Sequence, residues 1–257
     1  MQGFIEHVWI HPERADNPLV VFLHEGLGSV ALWRDFPNRF CDALNVRGLV
    51  FSRKGYGQST PRKPDEYWPA DFMHQQAISF LPAFFESLGI DAEREPLILF
   101  GHSDGATIAL IYAATYPTRV RSVIALAPHV MIESITIEAI RQGKIAYETP
   151  STQLKTKLAR YHADVDSAFY GWCDVWLSDS FQSFDIRALL PNITCPVLAV
   201  QGENDAYGTM DQIDEIALQT PHTQLLKIPN CGHSPHVDQP EAVLAGCQAW
   251  ADARGGL

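Results

Sequence analysis

The chain has 257 residues, enough for one large domain or for one domain carrying a sizeable insertion. Lys and Arg total 19 against 30 Asp and Glu, a formal charge of −11 with no basic run to offset it, so neither a nucleic acid nor a membrane is an expected partner. At 46% hydrophobic and 19% charged residues, the composition excludes a disordered chain.

The stretch Met1 to His11 carries Glu6 and two histidines and no apolar core, which reads against a signal peptide. No apolar run is long enough to cross a bilayer, so a cytoplasmic protein is expected. Leu19 to Leu23 is a continuous apolar run with a β-branched middle, the mark of a strand buried on both faces as in a parallel sheet. Gly48–Phe51, Leu97–Phe100, Val123–Ala127, Pro196–Val200 and Gln224–Ile228 read the same way. Helical periodicity runs from Asp71 to Leu88, stopped by Gly89 and broken inside by Pro82. A second helix is expected over Gly105–Tyr116, closed by Pro117, and a last one opening at Gln239-Pro240-Glu241. Strands alternating with helices predict an α/β fold on a mainly parallel sheet. The alternation fails between His129 and Asn192, which has helical patterns and many aromatics but no buried strand.

The five cysteines, Cys41, Cys173, Cys195, Cys231 and Cys247, are scattered, odd in number and without a C-x-x-C pair. That spacing indicates neither a disulfide framework nor a zinc cluster, but free thiols in a reducing compartment.

The sharpest local signal is Phe100-Gly101-His102-Ser103-Asp104-Gly105-Ala106, with a strand before it and an Ala/Ile/Leu helix after it. A turn this tight from strand to helix needs small flanking residues, which Gly101 and Gly105 supply. It would lift the Ser103 hydroxyl clear of the sheet at a helix N-terminus, where backbone N–H groups favour developing negative charge.

With this elbow, the chain resembles the α/β-hydrolases that carry a helical cap. His24-Glu25-Gly26-Leu27-Gly28 resembles the family's H-G-type loop, and Arg53-Lys54-Gly55-Tyr56-Gly57-Gln58-Ser59 resembles its R-G-x-G-x-S loop with one extra residue. The resemblance implies a core of residues 1–128 and 193–257, with 129–192 as a helical cap insertion. It also implies the order Ser, acid, His along the chain. In Gln201-Gly202-Glu203-Asn204-Asp205, Asp205 stands at the family's G-x-x-D position, with Glu203 as rival. In Cys231-Gly232-His233-Ser234-Pro235-His236, His233 stands at the G-H position. His236 is the rival base, otherwise a surface residue unless it borders the site. The H-x-x-H spacing lacks a helix and a third ligand, so no metal is expected.

The resemblance implies catalysis by Ser103, Asp205 and His233 through an acyl-enzyme, with no cofactor. The oxyanion would be held by the N–H of Asp104 and by a second donor. That donor is Gly26 if the loop follows the H-G-G-P-G variant, or Leu27 if Glu25 is an insertion in H-G-L-G. Glu25 in place of a usual glycine is the main departure from the pattern. His24 is read as a structural histidine under the oxyanion loop, and the Asp104 carboxylate as helix N-terminal charge. His162 has no motif support.

Phe169, Tyr170, Trp172, Trp176, Phe181 and Phe184 are candidates to line a pocket, with Trp172, Trp176 and Phe169 first. Three functions are consistent with the residues: a carboxylic ester hydrolase acting on a small-molecule ester, a C–C bond hydrolase of aromatic ring-cleavage products, and a receptor that keeps the triad. C–C hydrolases of this fold tend to have Asn beside the nucleophile and a G-G-G-P-G-like loop, from which His102 and His24–Gly28 depart. A dehalogenase would need Asp where Ser103 stands, and no dinucleotide motif follows the first strand. A monomer or small homo-oligomer is expected.

Overall fold

The computed structural model describes residues 3–257; Met1 and Gln2, where the stretch read for a targeting segment begins, lie outside the described residues. Among the described residues, seven strands form one sheet: β1 (His7–Ile10), β2 (Leu19–Leu23), β3 (Arg47–Phe51), β4 (Leu97–His102), β5 (Val120–Leu126), β6 (Val197–Gly202) and β7 (Thr223–Ile228). Their order is β1-β3-β2-β4-β5-β6-β7. Every pairing is parallel except β1 with β3, which is antiparallel, with His7 opposite Phe51. Each of the six expected strands is present. The edge strand β1 was not expected, because only Ile10 of its four residues is buried and no apolar run marks it.

Alternate residues of the central strands feed two cores, as the two-residue period of a strand requires. Val21, Leu23, Leu49 and Leu99 point into one layer; Val20, Phe22, Val50, Ile98 and Phe100 point into the other. The second layer is closed by α1 (Phe36–Leu44) through Phe36, Phe40 and Cys41, and by a C-terminal helix through Val243, Cys247 and Trp250.

The first layer holds the helix expected over Asp71–Leu88. It is built as α2 (Phe72–Gln75), a π-helical turn (Gln76–Phe80) and α3 (Leu81–Ser87). Pro82 lies at the start of α3, where its missing N–H would otherwise have reached back to Ile78. The Ile78 carbonyl instead accepts a hydrogen bond from the Tyr116 hydroxyl at 3.0 Å. Proline therefore shifts the helical register without leaving its carbonyl unpaired. Beside this pair runs α4 (Asp104–Thr115), buried at every position but Thr115. A helix apolar all round belongs in the interior, against the sheet on one side and other helices on the rest.

Between β5 and β6 the chain forms, among the described residues, α5 (Ser134–Glu148), α6 (Leu154–Leu158), α7 (Val165–Trp176) and three 3₁₀ turns, Pro150–Thr152, Asp179–Phe181 and Arg187–Asn192. Its extended pairing, among the described residues, is a single bridge between Met131 and Asp185. Then follow α8 (Asp211–Gln219), α9 (Pro235–Asp238) and α10 (Pro240–Asp252), the C-terminal helix of the second layer.

All five cysteines are free and buried. Burial pushes the thiols of Cys41, Cys195 and Cys247 up to about 12, which removes their reactivity at neutral pH. Among the described residues, no helix is long and apolar enough to cross a membrane.

Candidate active site

β4 ends at His102 and α4 begins at Asp104, so Ser103 alone makes the turn, at φ 53° and ψ −119°. Two glycines make this possible. A Cβ on Gly105 would lie 2.0 Å from the Leu23 carbonyl oxygen, and one on Gly101 2.4 Å from that of Gly105. Any side chain at either position would push α4 off the sheet. The Ser103 N–H donates to Leu126 O at 2.8 Å, tying the strained residue to β5.

The loops after β6 and β7 bring Asp205 and His233 to this turn. His233 Nε2 lies 3.0 Å from Ser103 Oγ, and His233 Nδ1 lies 2.9 and 2.8 Å from the two Asp205 oxygens. With Nδ1–H donating to the carboxylate, Nε2 is left to accept the serine proton. Asp205 also accepts from the Tyr207 N–H at 2.7 Å and from Gln201 Nε2 at 2.8 Å. Burial works to raise its carboxyl, but the hydrogen bond and charge of His233 and the Tyr207 N–H outweigh that and hold it below the usual range. The rival acid, Glu203, is exposed.

His236 is not the surface residue expected. It is buried, with its ring centroid 4.7 Å from Trp33, 5.6 Å from Phe36 and 4.8 Å from His102. The short helix α9 turns it inward, whereas both nitrogens of His233 are engaged by Ser103 and Asp205. The H-x-x-H pair thus diverges.

Opposite Ser103 lies the loop His24–Gly28. His24 sits beneath it: Nε2 accepts from the Arg53 N–H at 2.9 Å and Nδ1 bonds to Glu25 O at 2.6 Å. The Arg53 guanidinium donates to Glu25 O at 2.8 Å and lies 3.5 Å from the Asp104 carboxylate. Among the described residues, the N–H groups of Gly26, Leu27 and Asp104 find no backbone acceptor, as an anion-binding concavity needs. The Asp104 side chain is not solvated helix-terminal charge. It is fully buried beside Arg53 and accepts from Trp176 Nε1 at 3.2 Å. Burial raises its carboxyl, against the opposing pull of Arg53.

Several residues tie the β5–β6 segment to the elbow side. Trp176 does so through Asp104 and His129 through its backbone to Thr107 Oγ1. Another is His162, which no sequence signal marked. Its Nδ1 accepts from the Gly57 N–H at 3.0 Å and its Nε2 donates to Leu27 O at 3.0 Å. Burial lowers its basicity, which suits a neutral ring that must both accept and donate.

A cavity of about 200 Å³ opens onto Ser103 and His233, lined by Glu25, Gly26, Leu27, Ile140, Trp172 and Trp176 among others. Larger depressions lie along α3 and along α5 and α6, but neither holds a nucleophile beside a base. Phe169 does not line the cavity. It stacks on Tyr147 of α5, with centroids 3.7 Å apart and planes 5° from parallel. Phe181 and Phe184 stack on each other at 4.8 Å, also away from the cavity, and Tyr170 likewise lies outside its lining. The lining includes residues the sequence did not single out. Thr136 and Tyr207 are two of them, and His129 is a third, bonded through Nε2 to Tyr207 O at 3.1 Å. Burial, aided by the charge of His233, pushes His129 down to about 4.

A strand–serine–helix elbow, a carboxylate after β6 and a histidine after β7 define a class, and the comparisons agree. The model described as "Alpha/beta hydrolase family" matches residues 20–246, and the chain belongs to that family. The human protein named serine hydrolase BPHL is 28% identical over 202 residues, covering 74% of this chain but only 64% of the human one, so the chain spans less than two thirds of that relative. The (E)-2-((N-methylformamido)methylene)succinate hydrolase of Acinetobacter baylyi is 24% identical over 263 residues, covering 93% and 92% of the two chains. Among solved structures, proline iminopeptidase from Mycobacterium smegmatis superposes with a TM-score of 0.74 at 18% identity, covering 97% of this chain and 94% of that one. The enol-lactonase from Burkholderia xenovorans gives 0.73 at 14% identity, covering 95% of each. At such identities the structural likeness bears on the fold alone.

Proposed function

We propose that this hydrolase cleaves carboxylic esters, with Ser103 as nucleophile, His233 as general base and acid, and Asp205 holding the imidazole. The observation that carries the reading is the 3.0 Å contact of His233 Nε2 with Ser103 Oγ, at the wall of a cavity, with His233 Nδ1 on a buried carboxylate. Ser103 Oγ attacks the ester carbonyl as its proton passes to His233 Nε2. Asp205 fixes the tautomer and stabilises the imidazolium. The tetrahedral oxyanion is met by the Asp104 N–H and by Gly26 or Leu27 N–H across the cavity. His233 returns the proton to the departing alkoxide, then deprotonates the attacking water and passes that proton to Ser103 Oγ as the acid leaves.

The cavity limits the substrate. At roughly 30 Å³ per water it holds about seven waters' worth of substrate, below the usual range for drug-sized ligands. Ile140, Trp172 and Trp176 make one side apolar, which favours short acyl or small aryl groups. In this reading residues 129–192 act as a cap over a core formed by 1–128 and 193–257.

The test is turnover of p-nitrophenyl esters of graded acyl length by wild type and Ser103→Ala, with a ring-cleavage dienone alongside. Turnover that peaks at short acyl chains and vanishes in the variant supports the reading. Preference for the dienone replaces it with C–C hydrolysis. Saturable ligand binding with no turnover of either replaces it with a receptor.

A further inference from the structure

We propose that Glu25, at the cavity wall, and the buried His102 form a charged pair that positions the loop carrying His233; this rests on the serine hydrolase reading above. His102 precedes the nucleophile, and its side chain is only 1% exposed. Its Nε2 lies 2.7 Å from the backbone carbonyl oxygen of His233, and its Nδ1 lies 3.4 Å from a carboxylate oxygen of Glu25. A carbonyl and a carboxylate can only accept, so each ring nitrogen must carry a proton to face its partner favourably. A neutral ring would set one bare lone pair against an oxygen. The geometry therefore calls for the imidazolium, bridging the oxyanion loop and the base loop.

The groups around His102 fit that state. Glu25 comes from the loop after β2, His233 and His236 from the chain after β7, and Asp205 lies beyond His233. His236, also against the ring, is held down to about 3 by burial and by His102, so it adds no second positive charge. Burial works against charge on both members of the pair. Their mutual hydrogen bond and charge outweigh it, holding the Glu25 carboxyl well below the usual range and raising His102. Glu25 also screens His233, whose ring centroid is 5.2 Å from that of His102, from an otherwise uncompensated cation. This gives a physical use to the carboxylate that stands where the family pattern has glycine.

His102 does not line the cavity, so it acts on the reaction through His233 and is a positioning residue. A Gln side chain can present its amide nitrogen near the place of His Nε2 and donate to His233 O, whereas Asn is too short. His102→Asn should therefore lower kcat by about 10- to 100-fold with little change in KM, since misplacing a catalytic group is costly. His102→Gln should restore most of that loss. Nitrogen NMR of the histidine side chains supplies a readout independent of turnover. At about pH 6.5, the ordinary histidine value, His102 should carry protons on both nitrogens in most wild-type molecules and on only one in most molecules of Glu25→Gln. Unchanged kcat in His102→Asn, or a neutral His102 in wild type, overturns the proposal. If His102→Asn does not fold, His102→Gln and the NMR comparison still decide it. Activity surviving in Ser103→Ala would instead overturn the serine reading, and the NMR result would stand apart from it.

Discussion

Replacing His236 with Phe should flatten the acid limb of the stability curve. Burial, reinforced by the charge of His102, holds the folded-state value of His236 down to about 3, against an ordinary 6.5. A depressed histidine contributes its full stability above the unfolded value and loses it as pH falls toward the folded one, because only the unfolded chain takes up the proton. Between pH 6.5 and 4.5 that is two units, or about 3 kcal/mol at about 1.4 kcal/mol per unit. The side chain is packed by Trp33 and Phe36, so a phenyl ring suits its surroundings, and its buried Nδ1 has no partner to lose. Any packing change is common to both pH values and cancels in the difference. The assay is urea unfolding of both proteins at pH 7.5 and 4.5. Wild type should lose about 3 kcal/mol more than His236→Phe over that interval; His129, depressed to about 4, supplies a loss common to both. Equal losses in the two proteins would refute the reasoning.

Asp205→Asn should lower kcat by about 10⁴, as in the analogous serine protease, because His233 is no longer held in the tautomer that accepts the serine proton; steady-state kinetics on a short-chain ester would show it. Trp172→Ala should enlarge the cavity beside Gly26 and move the preferred acyl chain to greater length, read as kcat/KM across an ester series. His162→Ala should leave the Gly57 N–H and the Leu27 carbonyl without their partner and destabilise the fold by about 2 to 3 kcal/mol in urea unfolding.

The strands were legible in the sequence for a physical reason. A parallel strand covered on both faces must be apolar at consecutive positions, and Leu19–Leu23 and Val197–Val200 are. The edge strand β1 escaped because it is buried at one residue. The helices α1 and α8 run for only nine residues each, so the helical spacing of Phe36, Phe40 and Cys41, or of Ile213 and Ile216, spans too few turns to stand out. Ser103 was legible because its geometry is local, set by Gly101 and Gly105. Asp205 and His233 were reachable only through their positions in a family pattern. The pairs that hold the site together left no mark, because they join distant parts of the chain: His162 reaches Leu27, and Glu25 reaches His102. Phe169, Trp172 and Trp176 share one face of α7 at i, i+3 and i+7, so spacing could not tell them apart. The structure does, because Tyr147 of α5 occupies the Phe169 end of that face and the cavity lies under the other.

The central claim is that an acyl group passes through Ser103. The direct measurement is to mix the protein with an excess of p-nitrophenyl acetate, quench in acid during the first turnover, and locate the acyl group by peptide mass spectrometry. An acetyl adduct on Ser103, with a matching burst of p-nitrophenol, is the expected result, and Ser103→Ala should show neither. Turnover at the wild-type rate by Ser103→Ala, or an adduct on another residue required for turnover, would contradict the account.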